Sequence, residues 1–450
     1  MKKPSSTYLN KDKETSRITL NLINTVILAL LYVLMVFVFY DNDYEYSYGI
    51  RGYLVLSAIY IISIYIFNNA FGSFELGTKK ISDIALSQGM SVFITDIMMF
   101  FVMSLIEGHI LYRIYPHILI LIIQMVVGTF VVYKNSKYIR ERFKPLDALV
   151  IYGDDSYKNI VSKLKIYQQY EFKIIKCISE KDINYKKILD TIGNYECIIC
   201  IEMTHDKKKL IIKNAYENNI YVYNVPSITE VLIKASKVSN LIDTPISKLN
   251  KFGPNKVERV IKRGMDIFGS VLLLVLASPI ILVSAIIIKV QDGGDVFFRQ
   301  KRLTKDGKQF ELIKFRSMIM NAEPGNKMIR AKEDDARITK YGKFMRSTRI
   351  DEIPQAINIL KGEMSFVGPR ALRIEEYEEN KNVFPEFTYR LKVQAGLTGY
   401  AQLYGKYNTS FRDKLLFDVY YIENYSLVED IKLILMSFFN MFIKDSTQGF

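Results

Sequence analysis

The residues best suited to chemistry fall between Arg346 and Arg370, RSTRIDEIPQAINILKGEMSFVGPR. Two cations, Arg346 and Arg349, precede the adjacent carboxylates Asp351 and Glu352. Pro354 follows, then Ile353, Ile357 and Leu360 at the spacing of a buried helical face. The stretch closes on Gly368-Pro369-Arg370. Neighbouring residues on a helix point about 100° apart, so the two acids can divide the work. A carboxylate attacks phosphorus to give an acyl phosphate. Magnesium takes few carboxylates plus substrate phosphate oxygens, so one acid and a diphosphate suffice. Lys and Arg then neutralise charge as the phosphorus–oxygen bond breaks. The same residues also fit a capped helix with solvated charges, and the local pattern leaves both readings open.

Such a site needs elements to hold it, and composition bounds them. The chain has 450 residues, which predicts two or three domains. It is 49% apolar and still 24% charged, with a mean hydropathy of +0.08. That mixture points to membrane segments joined to a water-exposed part. The net charge of +14 admits nucleic acid, anionic lipid or a polyphosphate substrate, of which nucleic acid is not the expected partner. Cys197 and Cys200 form a C-x-x-C inside the apolar run ECIICIE. Residues three apart on a strand face opposite sides, so they read as core thiols, not a metal pair. With three cysteines and no disulfide framework, a reducing compartment is expected. His109, His117 and His205 are isolated, which argues against a histidine-based metal or general-base site.

Four apolar runs, about 18–40, 50–67, 90–106 and 114–133, each approach the roughly 20 residues needed to cross a bilayer. The N-terminus is basic, the first loop acidic (Asp41, Asp43, Glu45), the second basic (Lys79, Lys80), and the exit strongly basic (Lys134, Lys137, Arg140, Arg142, Lys144). The positive-inside rule then puts both ends of the bundle in the cytoplasm. Asp96, within the third run, reads as a polar contact between helices or as a functional acid. Residues 146–226 alternate short apolar strands with amphipathic helices, which predicts a small parallel α/β domain. Its first strand ends in YGDDSYKN, with Asp154 and Asp155 where a pyrophosphate needs glycine amides. Dinucleotide binding is therefore not expected, and a regulatory or assembly role is. Residues 227–256 read as a connector.

The run 264–289 is long enough to cross, at about 1.5 Å per residue. Pro279 interrupts it after Ser278, and both flanks are basic, with Arg259, Lys262 and Arg263 before and Lys289, Arg299 and Arg302 after. Two positive flanks favour a bent helix that enters the inner leaflet and returns. A fifth span with a proline kink is the other reading. Next, VFFRQKR and FELIKF flank a Lys-Asp-Gly turn as in a β-hairpin carrying Arg299, Arg302, Lys314 and Arg316. The acidic run Glu333-Asp334-Asp335 reads as solvated, RLKVQAGLTGYAQLYGKYN as a loop, and 413–444 as helical.

Residues 258–450 resemble the catalytic domain of the bacterial sugar transferases, the monotopic polyprenyl phosphoglycosyl transferases. The matching motifs are Ser278-Pro279, RQKR (299–302), KFRSM (314–318), RSTRIDEIPQ (346–355), LKGEMSFVGPR (360–370), GLTGYAQ (396–402) and FDVYYIENYSLVEDIK (417–432). The layout in front resembles the large form of the family. The resemblance implies a membrane protein of α and α/β class in three parts. These are a four-helix membrane domain over 1–145, a Rossmann-like module over 146–250, and a catalytic α/β domain over 251–450 with a re-entrant helix at 264–289. It implies transfer of a sugar 1-phosphate from a UDP-sugar to undecaprenyl phosphate, releasing UMP and initiating a surface polysaccharide. Asp351 is the implied nucleophile and Glu352 the implied Mg2+ ligand. Lys314 and Asp430 fall at further active-site positions, and Arg302, Arg346, Arg370 and Lys406 at phosphate-binding ones. Ser278 and Pro279 match the re-entrant break. A bacterial inner-membrane location, a catalytic domain facing the cytoplasm, a homodimer and polysaccharide-assembly partners are also implied. The chain departs from the family pattern at Ala371, at Gln394-Ala395 and at Lys406-Tyr407-Asn408. Two other activities remain open: a non-enzymatic scaffold or regulator of polysaccharide assembly, and a glycosyltransferase that releases UDP.

Overall fold

The computed structural model describes residues 6–40, 49–107, 114–154, 157–184, 188–241, 243–249, 253–320, 322, 335–405 and 409–440. They fall into two compact units, Met1–Pro226 and Ser227–Phe450.

The first unit begins with four apolar helices, α1 (Ser6–Phe39), α2 (Gly49–Phe71), α3 (Ile81–Glu107) and α4 (Ile114–Arg142). All four are long and apolar enough to span a bilayer. Leu28, Tyr32, Tyr60, Ile64, Met99 and Ile120 pack in the bundle core. Asp96 is an interhelical polar contact. It accepts from the Tyr60 hydroxyl (3.2 Å), and Gln124 donates to the same hydroxyl (2.8 Å) and to the Leu28 carbonyl (2.8 Å). In hydrocarbon such groups must find partners inside the protein. The acidic loop residues Asp41, Asp43 and Glu45 lie outside the described residues.

The bundle is followed by β1 (Leu146–Tyr152), α5 (Tyr157–Tyr167), β2 (Phe172–Ser179), α6 (Ile188–Ile192), β3 (Cys197–Ile201), α7 (His205–Glu217) and β4 (Tyr221–Asn224). The four strands form one sheet in the order β2-β1-β3-β4, all parallel. Period-2 alternation puts Cys197 in the core on one face and Cys200 in the core on the other. Both are fully buried free thiols.

The second unit opens where a connector was expected. It holds α8 (Ile228–Lys234) and an antiparallel hairpin, β5 (Lys237–Leu241) with β6 (Thr244–Lys248). The signal was in the sequence: Ser227 and Glu230 form a capping box, and Val231 joins a core with Phe387, Leu415 and Val419. The apolar run 264–289 lies within two helices, α9 (Lys256–Leu276) and α10 (Ser278–Asp292), bent by 61°. Pro279 has no N–H to give the Val275 carbonyl, and the Ser278 hydroxyl donates to that carbonyl instead (2.8 Å). Val257, Val260, Phe268, Val275 and Leu276 are exposed on α9, whereas Lys262, Asp266 and Ser270 are buried. The expected hairpin follows as β7 (Phe297–Leu303) and β8 (Gln309–Phe315). Asp306 and Gly307 make its turn in the left-handed region.

The remaining elements are α11 (Lys340–Ser347), a 3₁₀ turn at Ile350–Glu352, α12 (Gln355–Lys361), β9 (Met364–Val367), α13 (Ile374–Val383) and a 3₁₀ segment at Pro385–Lys392. Then come β10 (Ala395–Thr398), α14 (Tyr400–Leu403), α15 (Phe411–Glu423) and α16 (Leu427–Asn440). The glycine-rich stretch read as a loop therefore contains β10 and α14. Short-range pattern cannot show this, because β10 exists by parallel pairing with β9, some 30 residues earlier. The glycines permit that approach. A Cβ on Gly396 would lie 2.1 Å from the Gly368 nitrogen, and one on Gly399 would lie 2.3 Å from the Gly368 carbonyl oxygen. Gly396→Ala is accordingly expected to destabilise the protein by about 1–3 kcal/mol through overpacking. Thermal unfolding of the purified full chain checks this; an unchanged Tm contradicts the close packing.

Candidate active site

Four elements converge on the carboxylate pair. Asp351 and Glu352 sit on the 3₁₀ turn, which runs through Ile353 and Pro354 into α12. Arg349 precedes them in the left-handed region at φ 54°, strained for a residue with a Cβ, and swings the chain from α11 into the turn. The buried face of α12 is Gln355, Ala356, Asn358 and Ile359, one register away from the expected Ile353, Ile357 and Leu360, which are half-buried. The reason is Asn358. Its side chain is fully buried, accepts from the Ile313 amide (3.0 Å), and donates to the Glu311 carbonyl (2.7 Å) and the Glu363 carboxylate (2.7 Å). These bonds lock α12 to β8, one residue from Lys314. Sequence reading missed Asn358 as a positioning residue, and only its polar character within the apolar run NIL could have signalled it.

Lys314 Nζ donates to Glu352 Oε1 at 2.7 Å, with both side chains about one-fifth exposed. Arg346 is carried by α11, and its Nε donates to the Ser317 hydroxyl (2.8 Å). Gly342 brings α11 against the same residue, since a Cβ there would lie 2.0 Å from the Ser317 carbonyl oxygen. Arg370 is exposed, and its charge reaches Glu352. Lys314, Arg346, Asp351, Glu352 and Arg370 thus form one electrostatic group, with Arg349 as an added cation.

Two further expected members make structural contacts. Asp430 is buried on α16, where it pairs with Lys262 of α9 (2.5 Å) and accepts from the Tyr421 hydroxyl (2.7 Å). Arg302 donates to the Ala371 carbonyl (3.2 Å) and to Gln300 (2.6 Å), so it braces the backbone just beyond Arg370. The departures Ala371 and Gln394-Ala395 are tied down: Gln394 donates to the Gly362 carbonyl and the Ala395 amide to Thr304. Lys406, Tyr407 and Asn408 lie outside the described residues, as do Glu333 and Asp334; Asp335 is bound by Arg337. Ser278 and Pro279 occupy the bend between α9 and α10.

The environment separates the two acids. Burial first, and then the neighbouring Glu352 charge, push Asp351 up to about 6, against the pull of Lys314 and Arg346. Burial also opposes ionisation of Glu352, but Lys314, Arg370 and Arg349 together outweigh it and hold Glu352 down at about 2. Glu352 therefore stays a carboxylate across the physiological range. Asp351 is an ionisable, buried carboxylate with cations on both sides. Among the described residues no group of three His, Cys, Asp or Glu side chains is placed to hold a metal ion. A divalent ion here would take one or two protein carboxylates and draw its other ligands from substrate and water, the arrangement magnesium accepts.

The family description "Bacterial sugar transferase" matches residues 257–444. The chain is 36% identical over 219 residues to the UDP-N-acetylgalactosamine-undecaprenyl-phosphate N-acetylgalactosaminephosphotransferase of Aeromonas hydrophila, covering 48% of this chain and 51% of that one. It is 36% identical over 251 residues to the UDP-glucose:undecaprenyl-phosphate glucose-1-phosphate transferase of Klebsiella pneumoniae, covering 54% of each. The uncharacterized sugar transferase EpsL of Bacillus subtilis (strain 168) is 33% identical over 192 residues, 42% of this chain and 91% of its own length. This chain belongs to the bacterial sugar transferase family. It spans about half the length of the first two relatives.

Asp351 is expected to bind a proton as the pH falls through about 6. Because the Lys314 cation favours the ionised form, Lys314→Gln should move that titration to higher pH. Infrared difference titration of the carboxylate band, referenced to Asp351→Asn, measures both; a midpoint near 4 in the wild type contradicts the assignment.

Proposed function

We propose that this chain is a membrane-bound phosphoglycosyl transferase, moving a sugar 1-phosphate from a UDP-sugar to undecaprenyl phosphate. The observation that carries this reading is the buried Asp351 beside a Glu352 held ionised by Lys314, inside the segment that matches the family. In the first half-reaction an Asp351 carboxylate oxygen attacks the sugar-bearing phosphorus. The bond from that phosphorus to the bridging oxygen breaks, UMP leaves, and an aspartyl-phosphosugar remains. In the second, a phosphate oxygen of undecaprenyl phosphate attacks the same phosphorus and expels the Asp351 carboxylate. Arg346 and Arg370 bind the substrate phosphates, and Lys314 orients Glu352 and offsets developing negative charge. Magnesium, held through Glu352 and substrate oxygens, would supply further charge neutralisation. Arg302 acts through the backbone, and Asp430 through the packing of α16 on α9.

The α9–α10 pair is re-entrant in this reading, with the site at the cytoplasmic face of the inner membrane, where a soluble nucleotide sugar meets a lipid phosphate. Basic residues on both flanks and the 61° bend support it. Residues 146–226 act as a Rossmann-like regulatory or assembly module. Two features support a role without a dinucleotide. Gly153 packs onto the Glu202 backbone at the strand ends, and Glu180 takes the Thr204 amide and hydroxyl at the start of α7, where a phosphate would bind.

Purified protein, undecaprenyl phosphate, magnesium and a panel of UDP-sugars should release UMP with ping-pong kinetics. Asp351→Asn is expected to lower turnover by at least 10³-fold while remaining membrane-bound, since no carboxylate is left to form the intermediate. Glu352→Gln, or a chelator, should be comparably inactive. Retained turnover in Asp351→Asn refutes the nucleophile, UDP in place of UMP identifies a glycosyltransferase, and no product with any sugar leaves a scaffold. Activity should fall towards acid pH as Asp351 takes up its proton.

Single cysteines placed at Lys256 and Gln300 in a background lacking the native three should both label from the cytoplasmic side. Opposite accessibility restores a fifth span.

A further inference from the structure

The turn Gly368-Pro369-Arg370 is held from two directions. On one, it leans on β10: the Gly396 amide donates to the Pro369 carbonyl (2.8 Å) and the Gly368 amide to the Thr398 carbonyl (2.9 Å). On the other stands Arg390, only 5% exposed although it is an arginine. Its Nη2 donates to the Arg370 carbonyl (3.0 Å) and lies 3.0 Å from Oδ2 of Asp418, itself 2% exposed. The guanidinium stacks over the Phe387 ring at 4.9 Å. Thr304, Pro369, Arg370 and Arg390 share a small crevice at this point. Arg302 then holds the next carbonyl, that of Ala371. Two arginines thus hold two consecutive backbone carbonyls, at the residue whose charge reaches Glu352.

Burying an ion pair gains little stability over an apolar replacement, because desolvation offsets the attraction. The surroundings, Tyr377, Phe387, Leu415 and Val419, already form an apolar cluster that an aliphatic side chain would extend. What an aliphatic side chain cannot do is fix a carbonyl. A lysine keeps the charge but loses the flat guanidinium that lies over Phe387 and fixes where Nη2 meets the carbonyl and Asp418.

We propose that the Arg390–Asp418 pair is a positioning device for Arg370, setting its guanidinium against the substrate phosphates through the Arg370 backbone. This rests on the phosphoglycosyl transferase reading above. Arg390 touches no substrate; it acts through Arg370.

The test is a double-mutant cycle in the full-length protein, with Arg390→Lys, Arg370→Lys and the double variant assayed by UMP release. Arg390→Lys is expected to raise KM for the UDP-sugar about tenfold and to change kcat less than threefold, since loosening Arg370 weakens ground and transition states alike. The double variant should be no worse than Arg370→Lys, because the two act as one unit. Multiplicative losses in the double variant, or a loss in Arg390→Lys confined to Tm with KM unchanged, overturn the proposal. If Arg390→Lys does not fold, Asp418→Asn takes its place in the same cycle, with a KM rise of about threefold expected and the same criteria. A wild-type protein that releases no UMP overturns the parent reading instead, so the two failures are distinguishable.

Discussion

The second unit depends on a single amphipathic contrast in α9. One side presents Val257, Val260, Phe268 and Val275 to the surroundings. The other buries Lys262, Asp266 and Ser270, four residues apart, and the first two each grip a different element. Lys262 pairs with Asp430 of α16; Asp266 accepts from the Ser365 hydroxyl and the Phe366 amide of β9, both at 3.0 Å. Arg263, beside them, donates to the Ile359 and Leu360 carbonyls at the end of α12, both at 2.6 Å. Those are carbonyls a helix end leaves without intrahelical partners, where a cation is favoured. An amphipathic helix with an exposed apolar side thereby fixes the helix that follows the carboxylate pair and the strand that leads to Arg370. Buried charges of this kind are costly unless paired, and here each is paired with a structural group.

From that frame the site's electrostatics follow. Two adjacent carboxylates in a buried turn would both resist ionisation. Lys314, delivered by β8 and held in register by Asn358, sits on Glu352 and leaves the burial penalty with Asp351. The result is one acid held ionised and one pushed towards its protonated form, which is how a single environment gives two neighbouring groups different roles. The left-handed Arg349 stores backbone strain at this turn, and such strain persists only where the surrounding packing over-determines it.

Local sequence determined much of this. Apolar length and charge placement gave the four long helices, and strand–helix alternation gave the parallel α/β region. The period of a strand put Cys197 and Cys200 on opposite faces. Asp351, Glu352, Arg346 and Arg370 stood together in one segment and Lys314 on the expected hairpin, and the fold brings the five into one electrostatic group. The Ser278-Pro279 break followed from a missing N–H, and the β7–β8 hairpin from its Lys-Asp-Gly turn.

Tertiary structure decided the rest, because it rests on contacts between residues far apart in the chain. The strand β10 forms only once β9 is beside it, and three glycines let the backbones meet. Asn358 turns inward, and shifts the buried face of α12, only because β8 offers an amide and a carbonyl. Asp430, at an active-site position by motif, is instead bound to Lys262, 168 residues away. Arg390 and Asp418, 28 positions apart by number, meet beneath the Arg370 carbonyl. A sequence specifies which groups exist and which local shapes they favour. Which backbone atom each buried polar group satisfies is settled only when the chain closes on itself.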